Sequence, residues 1–87
     1  MTISKARLSD EFARGLEPAD GRTLRVWDST LSGFGVYVKP SGVKAWFLRY
    51  ASKGRKRQMT LGKVGAVTCS TARRQARNAL NRLAAGI

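Results

Sequence analysis

"FGVYVKPSGVKAWFLRYASKGRKRQMTLG", residues 34–62, decides the fold. Side chains along a β-strand alternate between two faces. In "FGVYVK" the alternation sets Phe34, Val36 and Val38 against Gly35, Tyr37 and Lys39. "PSG" at 40–42 has turn chemistry, and beyond it Trp46, Leu48 and Tyr50 oppose Phe47 and Arg49 in a second strand from Val43 to Ala51. "SKG" turns the chain again, and Arg57, Met59 and Leu61 then oppose Lys56, Gln58 and Thr60. Three antiparallel strands in a meander follow from this pattern.

Toward the C-terminus, Ala72, Ala76, Leu80, Leu83 and Ala84 recur at three- and four-residue steps, one apolar face of a helix with Ser70 as its N-cap. The other face carries Arg73, Arg74, Arg77, Asn78, Asn81 and Arg82, and Gly86 reads as the stop. Toward the N-terminus, "TLRVWD" is a candidate edge strand closed by the loop "STLSG". Residues 1–22 read as an N-terminal arm, in which Ser9 caps a short helical turn through "DEFARGL" that packs by Leu8, Phe12 and Leu16. The expected fold is α+β: a three-stranded antiparallel sheet, with a short edge strand beside it, packed on one C-terminal helix. Residues 23–87 form the domain proper.

One helix covers one side of such a sheet. The side with Val36, Val38, Trp46, Leu48, Tyr50, Met59 and Leu61 is therefore the expected core. The open side carries Tyr37, Lys39, Phe47, Arg49, Lys56, Gln58 and Thr60. Cations, an amide and two aromatics without a carboxylate are unusual on an ordinary solvent face.

The charge balance sharpens that reading. Seventeen Lys and Arg stand against five Asp and Glu, a formal net charge of +12. All five acids, Asp10, Glu11, Glu17, Asp20 and Asp28, fall in the first 28 residues. Lys5, Arg7, Arg14, Arg22 and Arg25 offset them, which leaves twelve of the seventeen cations in a stretch with no acidic side chain. With no acid nearby in sequence to pair with, these cations are expected to face solvent or a polyanion. A two-stranded ribbon fits the major groove of B-DNA, about 12 Å wide, whose floor offers a donor and acceptor code that Arg, Lys and Gln read. Arg49 suits a guanine edge and Gln58 an adenine, while Tyr37 and Phe47 suit sugars or thymine methyls. Lys44, Lys53, Arg55, Lys56 and Lys63, at strand ends and turns, suit the flanking phosphates.

Other chemistries find little support. Cys69 stands alone and His is absent, which leaves no intramolecular disulfide, no metal-ligand set and no expected cofactor. Tyr37 and Tyr50 have no clustered Arg and His to activate them as nucleophiles. The longest apolar run, "AWFL", is far short of a membrane span, and the N-terminus lacks the apolar centre of a signal peptide. The expected location is the cytoplasm, with no membrane contact and no small-molecule substrate.

In "LSGFGVYVKPSGVKAWFLRY" and "RQMTLGKVGAVTCSTARRQARNALNRLAAGI" the chain resembles the N-terminal arm-DNA-binding domain of tyrosine recombinases, the integrases of prophages and genomic islands. The likeness runs from about Arg25 to the C-terminus. It implies a small antiparallel sheet, packed on a C-terminal helix, that enters the major groove of arm-type sites, with other integrase protomers as partners and a bacterial or phage source. Two positions depart from the family's pattern: Tyr37 stands where Arg is frequent, and Arg73 stands where the helix start usually has Glu. The second loses a favourable contact with the helix dipole, and Arg73 is assigned instead to phosphate. Full integrases of this kind continue into core-binding and catalytic domains that break and rejoin DNA. The present sequence ends at "AAGI", so no catalysis is expected of it. Two other readings stay open on the sequence. A three-stranded sheet with a C-terminal helix also resembles double-stranded-RNA-binding folds, and a basic face also suits docking of an acidic protein.

Overall fold

The computed structural model describes residues 5–84. Five strands form one sheet in sequential order: β1 (Lys5–Ala6), β2 (Leu24–Asp28), β3 (Phe34–Val38), β4 (Lys44–Ser52) and β5 (Arg55–Lys63). The sheet is mixed, since β1 runs parallel to β2 and every other neighbour pair is antiparallel. The short helix α1 (Asp10–Arg14) lies between β1 and β2, and α2 (Cys69–Ala84) ends the described chain. The expected three strands are β3, β4 and β5. "TLRVWD" is a full member of the sheet, and β1 adds a strand that the sequence did not announce.

The β4–β5 hairpin is the longest element, with nine residues in each strand. Its loop is Lys53–Gly54, with φ of 51° and 77°. Two successive positive φ values suit a primed turn, whose twist matches that of the strands. Trp46 pairs with Gly62 but Phe47 with Thr60, so Leu61 is the extra residue of a bulge. The bulge resets the alternation and brings Lys63 opposite Ala45.

α2 covers the side of the sheet that bears Val26, Phe34, Val36, Trp46 and Leu48, all essentially inaccessible. Ala72 and Ala76 face them and are fully buried, and their small side chains leave room for the large rings below. Phe34 and Trp46 stack with centroids 5.9 Å apart, and the Trp46 indole donates to the Val67 carbonyl at 2.7 Å. Met59, expected in this core, is 37% exposed because it lies on the edge strand, in a shallow depression with Tyr50, Ala79, Arg82 and Leu83.

The first described residues share the core. Leu8 and Ala13 are buried in it, with Phe12 and Leu16 packed against it. Ser9 caps α1 as expected, its hydroxyl accepting from the Phe12 amide at 3.0 Å. The cap of α2 is a correction: Thr68, not Ser70, accepts from the Thr71 amide at 3.2 Å. A second cap comes from far away in sequence, where the Asp10 carboxylate accepts from the Cys69 amide at 2.8 Å. It places negative charge where the helix dipole favours it. The stop expected at Gly86 lies outside the described residues.

Candidate nucleic-acid interface

The side of the sheet away from α2 is ordered in cross-strand rows. Arg25, Tyr37, Ala45 and Lys63 form one; Trp27, Gly35, Phe47 and Thr60 form the next. Arg49 pairs with Gln58 and Ala51 with Lys56 further along, where the hairpin runs past the end of β3. Lys39, Arg49, Lys56, Gln58, Thr60 and Lys63 are exposed and Tyr37 is half-buried. With Lys53 and Arg55 at the turn, also exposed, the structure brings these expected residues to one side and one end of the molecule.

Phe47 departs from expectation: it is fully buried on the open side. Its ring meets Trp27 edge-on at 5.1 Å and Tyr37 at 6.0 Å, and lies over Gly35. A Cβ at Gly35 would fall 2.7 Å from the Phe47 ring, so only glycine leaves space for it. Phe47 is thus a floor beneath Trp27 and Tyr37, not a surface contact. Pairs of aromatic rings in such geometry add about 0.5–1.5 kcal/mol beyond their burial.

Two residues from β2 belong to the face and were missed. Arg25 is exposed beside Tyr37, and Trp27 is half-buried beside Phe47. The signal was present in "TLRVWD", whose alternation sets Arg25 and Trp27 opposite Leu24, Val26 and Asp28.

The cations here are positioned rather than free-swinging. The Arg49 guanidinium lies 5.5 Å from the Trp27 ring centre and donates to the Gln58 amide oxygen at 3.4 Å. The Lys39 ammonium stands 5.9 Å from the Tyr37 ring. Neither interaction neutralises charge, so the face keeps its positive potential.

Two residues assigned to phosphate are engaged inside the protein. The Lys44 ammonium donates to the Arg14 carbonyl at 2.8 Å, which ties β4 to the end of α1. Arg73 pairs with Asp28, Nε to Oδ2 and Nη2 to Oδ1 at 3.2 Å each, and Nη2 also donates to the Leu8 carbonyl at 3.0 Å. Asp28 is 1% exposed and further accepts from Thr30, Leu8 and Leu31. Burial opposes its ionisation, but the hydrogen bonds from Arg73, Thr30 and Leu8 and the Arg73 charge outweigh it and hold its carboxyl below the usual range. The bond to Asp28 pushes the Arg73 guanidinium up in turn. The expectation that no cation after residue 28 finds an acid therefore fails at Arg73. The pair closes across 45 positions, beyond what sequence neighbours reveal. Burial raises the Cys69 thiol, in keeping with a packing role.

A cationic sheet face floored by aromatics, with an acid-free hairpin projecting from it, defines a polyanion-binding domain of the nucleic-acid class. The sequence profile of the Arm DNA-binding domain family matches residues 2–87, and the chain belongs to this family, the arm DNA-binding domain of tyrosine recombinases and integrases. A search of curated proteins returned no match. The domain binds DNA as an N-terminal integrase module and is not itself catalytic. Among the described residues, no helix is long and apolar enough to cross a membrane.

Proposed function

We propose that the chain binds arm-type DNA sites sequence-specifically by inserting the β4–β5 ribbon and the adjoining sheet face into the major groove. The observation that carries this reading is the Arg49–Gln58 pair, exposed at the centre of an acid-free ribbon and braced on Trp27. Arg and Gln are the side chains whose forked donors and acceptors match guanine and adenine edges in that groove. Arg25, Lys39, Lys53, Arg55, Lys56 and Lys63 surround the pair and contact phosphates, which fixes register without reading sequence. Tyr37 and Thr60 lie against sugars or thymine methyls. In its parent protein, a tyrosine recombinase of a prophage or other mobile element acting in the bacterial cytoplasm, the domain tethers protomers to arm sites while other domains break and rejoin DNA.

Selection from a random duplex library, followed by footprinting of the recovered sites, tests the proposal. A consensus with protected guanine N7 positions is expected, and Arg49→Ala is expected to erase that protection. Recovery of no consensus overturns it, as does tighter binding to an RNA duplex of matched sequence, whose deep, narrow major groove excludes a ribbon.

A further inference from the structure

The sheet-face reading leaves the outer surface of α2 without a role. Arg74, Arg77 and Arg82 are exposed there with Ser70, Asn78 and Asn81. At about 3.6 residues per turn, Ser70, Arg74, Arg77 and Asn81 align in one stripe, whereas Arg82 lies farther round the helix and borders the depression beside Met59 and Thr60 of β5. The helix has no acid in its first turn, and Arg73 and Arg77 stand one turn apart, a spacing at which like charges repel. The one ion pair among the described residues is Arg73–Asp28, so Arg74, Arg77 and Arg82 have no carboxylate partner there.

Geometry separates this stripe from the groove-facing surface. Ala72 and Ala76 press α2 onto the Trp46 side of the sheet, so Arg74 and Arg77, on the opposite side of the helix, lie away from Tyr37, Arg49 and Gln58. Duplex DNA is stiff over about 150 base pairs, and one short duplex held on the sheet face does not bend round to the back of the domain.

We propose that the outer face of α2 is a second duplex-binding surface, specific for the phosphate backbone and indifferent to sequence, so that one domain bridges two DNA segments. The proposal rests on the sheet face holding the first duplex. Guanidinium forks match phosphate oxygens in two-point contacts. The stripe offers nothing for other partners: it lacks the bulky apolar residues that membrane insertion uses and the aromatic centre typical of a protein interface.

A bead-tethered duplex carrying a selected site, saturated with the 87-residue chain, is offered a fluorescent random duplex. Wild-type protein is expected to capture the second duplex, and the Arg74→Glu/Arg77→Glu variant to lose capture by about ten-fold or more, in line with the loss of two phosphate contacts. Affinity of the same variant for the tethered duplex alone should change far less. The Gln versions of the two substitutions, with an unaltered circular dichroism spectrum, should give an intermediate loss. Capture that survives charge reversal overturns the inference, as does capture only by complexes holding two copies of the chain. If wild type binds the single site but captures nothing, this inference fails and the sheet-face reading stands. Failure to bind the single site at all sinks the sheet-face reading, and the bridging proposal with it.

Discussion

The salt dependence of binding to a single short duplex can be worked out from where the structure leaves its cations. Six exposed groups flank the reading pair on the sheet face and hairpin turn: Arg25, Lys39, Lys53, Arg55, Lys56 and Lys63. Each phosphate neutralised on B-DNA contributes about −0.9 to the slope of log affinity against log salt, which puts six contacts near −5.4. A rise from about 50 to about 200 mM salt then weakens binding by about 2,000-fold. Fluorescence anisotropy at dilute duplex, so that each domain holds one DNA, measures the slope directly. Lys53→Ala or Lys56→Ala should make it shallower by about 0.9. Lys44→Met should leave it unchanged, because its ammonium is already bound to the Arg14 carbonyl. A wild-type slope shallower than about −2 would mean that most of these cations miss the backbone and would refute the assignment. So would a Lys44 variant that behaves like the Lys53 variant.

Three further outcomes follow. Arg49→Ala should cut discrimination between selected and random duplexes by about 1–3 kcal/mol in competition titrations, while its affinity for random DNA falls only by the loss of one charge. Phe47→Ala, which empties a fully buried aromatic site, should cost about 3–5 kcal/mol in denaturant unfolding, whereas Thr60→Ala opposite it should cost little; equal losses would show that Phe47 is not a floor. Asp28 has a depressed carboxyl in the folded protein, so the stability it contributes is fully present above its unfolded value of about 3.9 and is lost as pH falls through the lower folded value. Thermal unfolding should show the midpoint falling below about pH 4 in wild type. Asp28→Asn should lower stability at neutral pH by about 3–5 kcal/mol, by leaving Arg73 unpaired, and should flatten the acid limb.

What the sequence revealed divides along the reach of its signals. β3, β4, β5 and α2 were legible because each spans several periods of its own alternation. β1 was not, since two residues carry no period and its parallel pairing with β2 is reached only through α1 and a long connection. Alternation told which side Phe47 faces but not how far it is exposed; exposure depended on Gly35 opening space and on Trp27 and Tyr37 closing over it. The bulge at Leu61 was invisible for the same reason that it matters. Strict alternation after Thr60 would send Lys63 to the helix side, and the inserted residue returns it to the cationic face. Thr68 and Ser70 are both competent caps, and only the hydrogen bond to the Thr71 amide distinguishes them.

The charge asymmetry takes on a different meaning once the acids are located. Asp28 is buried against Arg73, and Asp10 caps α2, so two of the five acids serve the start of the one long helix. The first turn of α2 holds Arg73 and no acid of its own, and acids from β2 and α1 supply negative charge there from outside the helix. Arg73 then bridges β2, the Leu8 carbonyl and the Phe34 ring, 5.5 Å from its guanidinium, and joins the N-terminal segment to the sheet and to α2. A double-mutant cycle separates this from a phosphate role. If Arg73 acts through Asp28, Arg73→Gln and Asp28→Asn should show a coupling of at least about 1 kcal/mol in unfolding and none in the salt slope of DNA binding. Coupling in the slope instead would return Arg73 to the DNA surface.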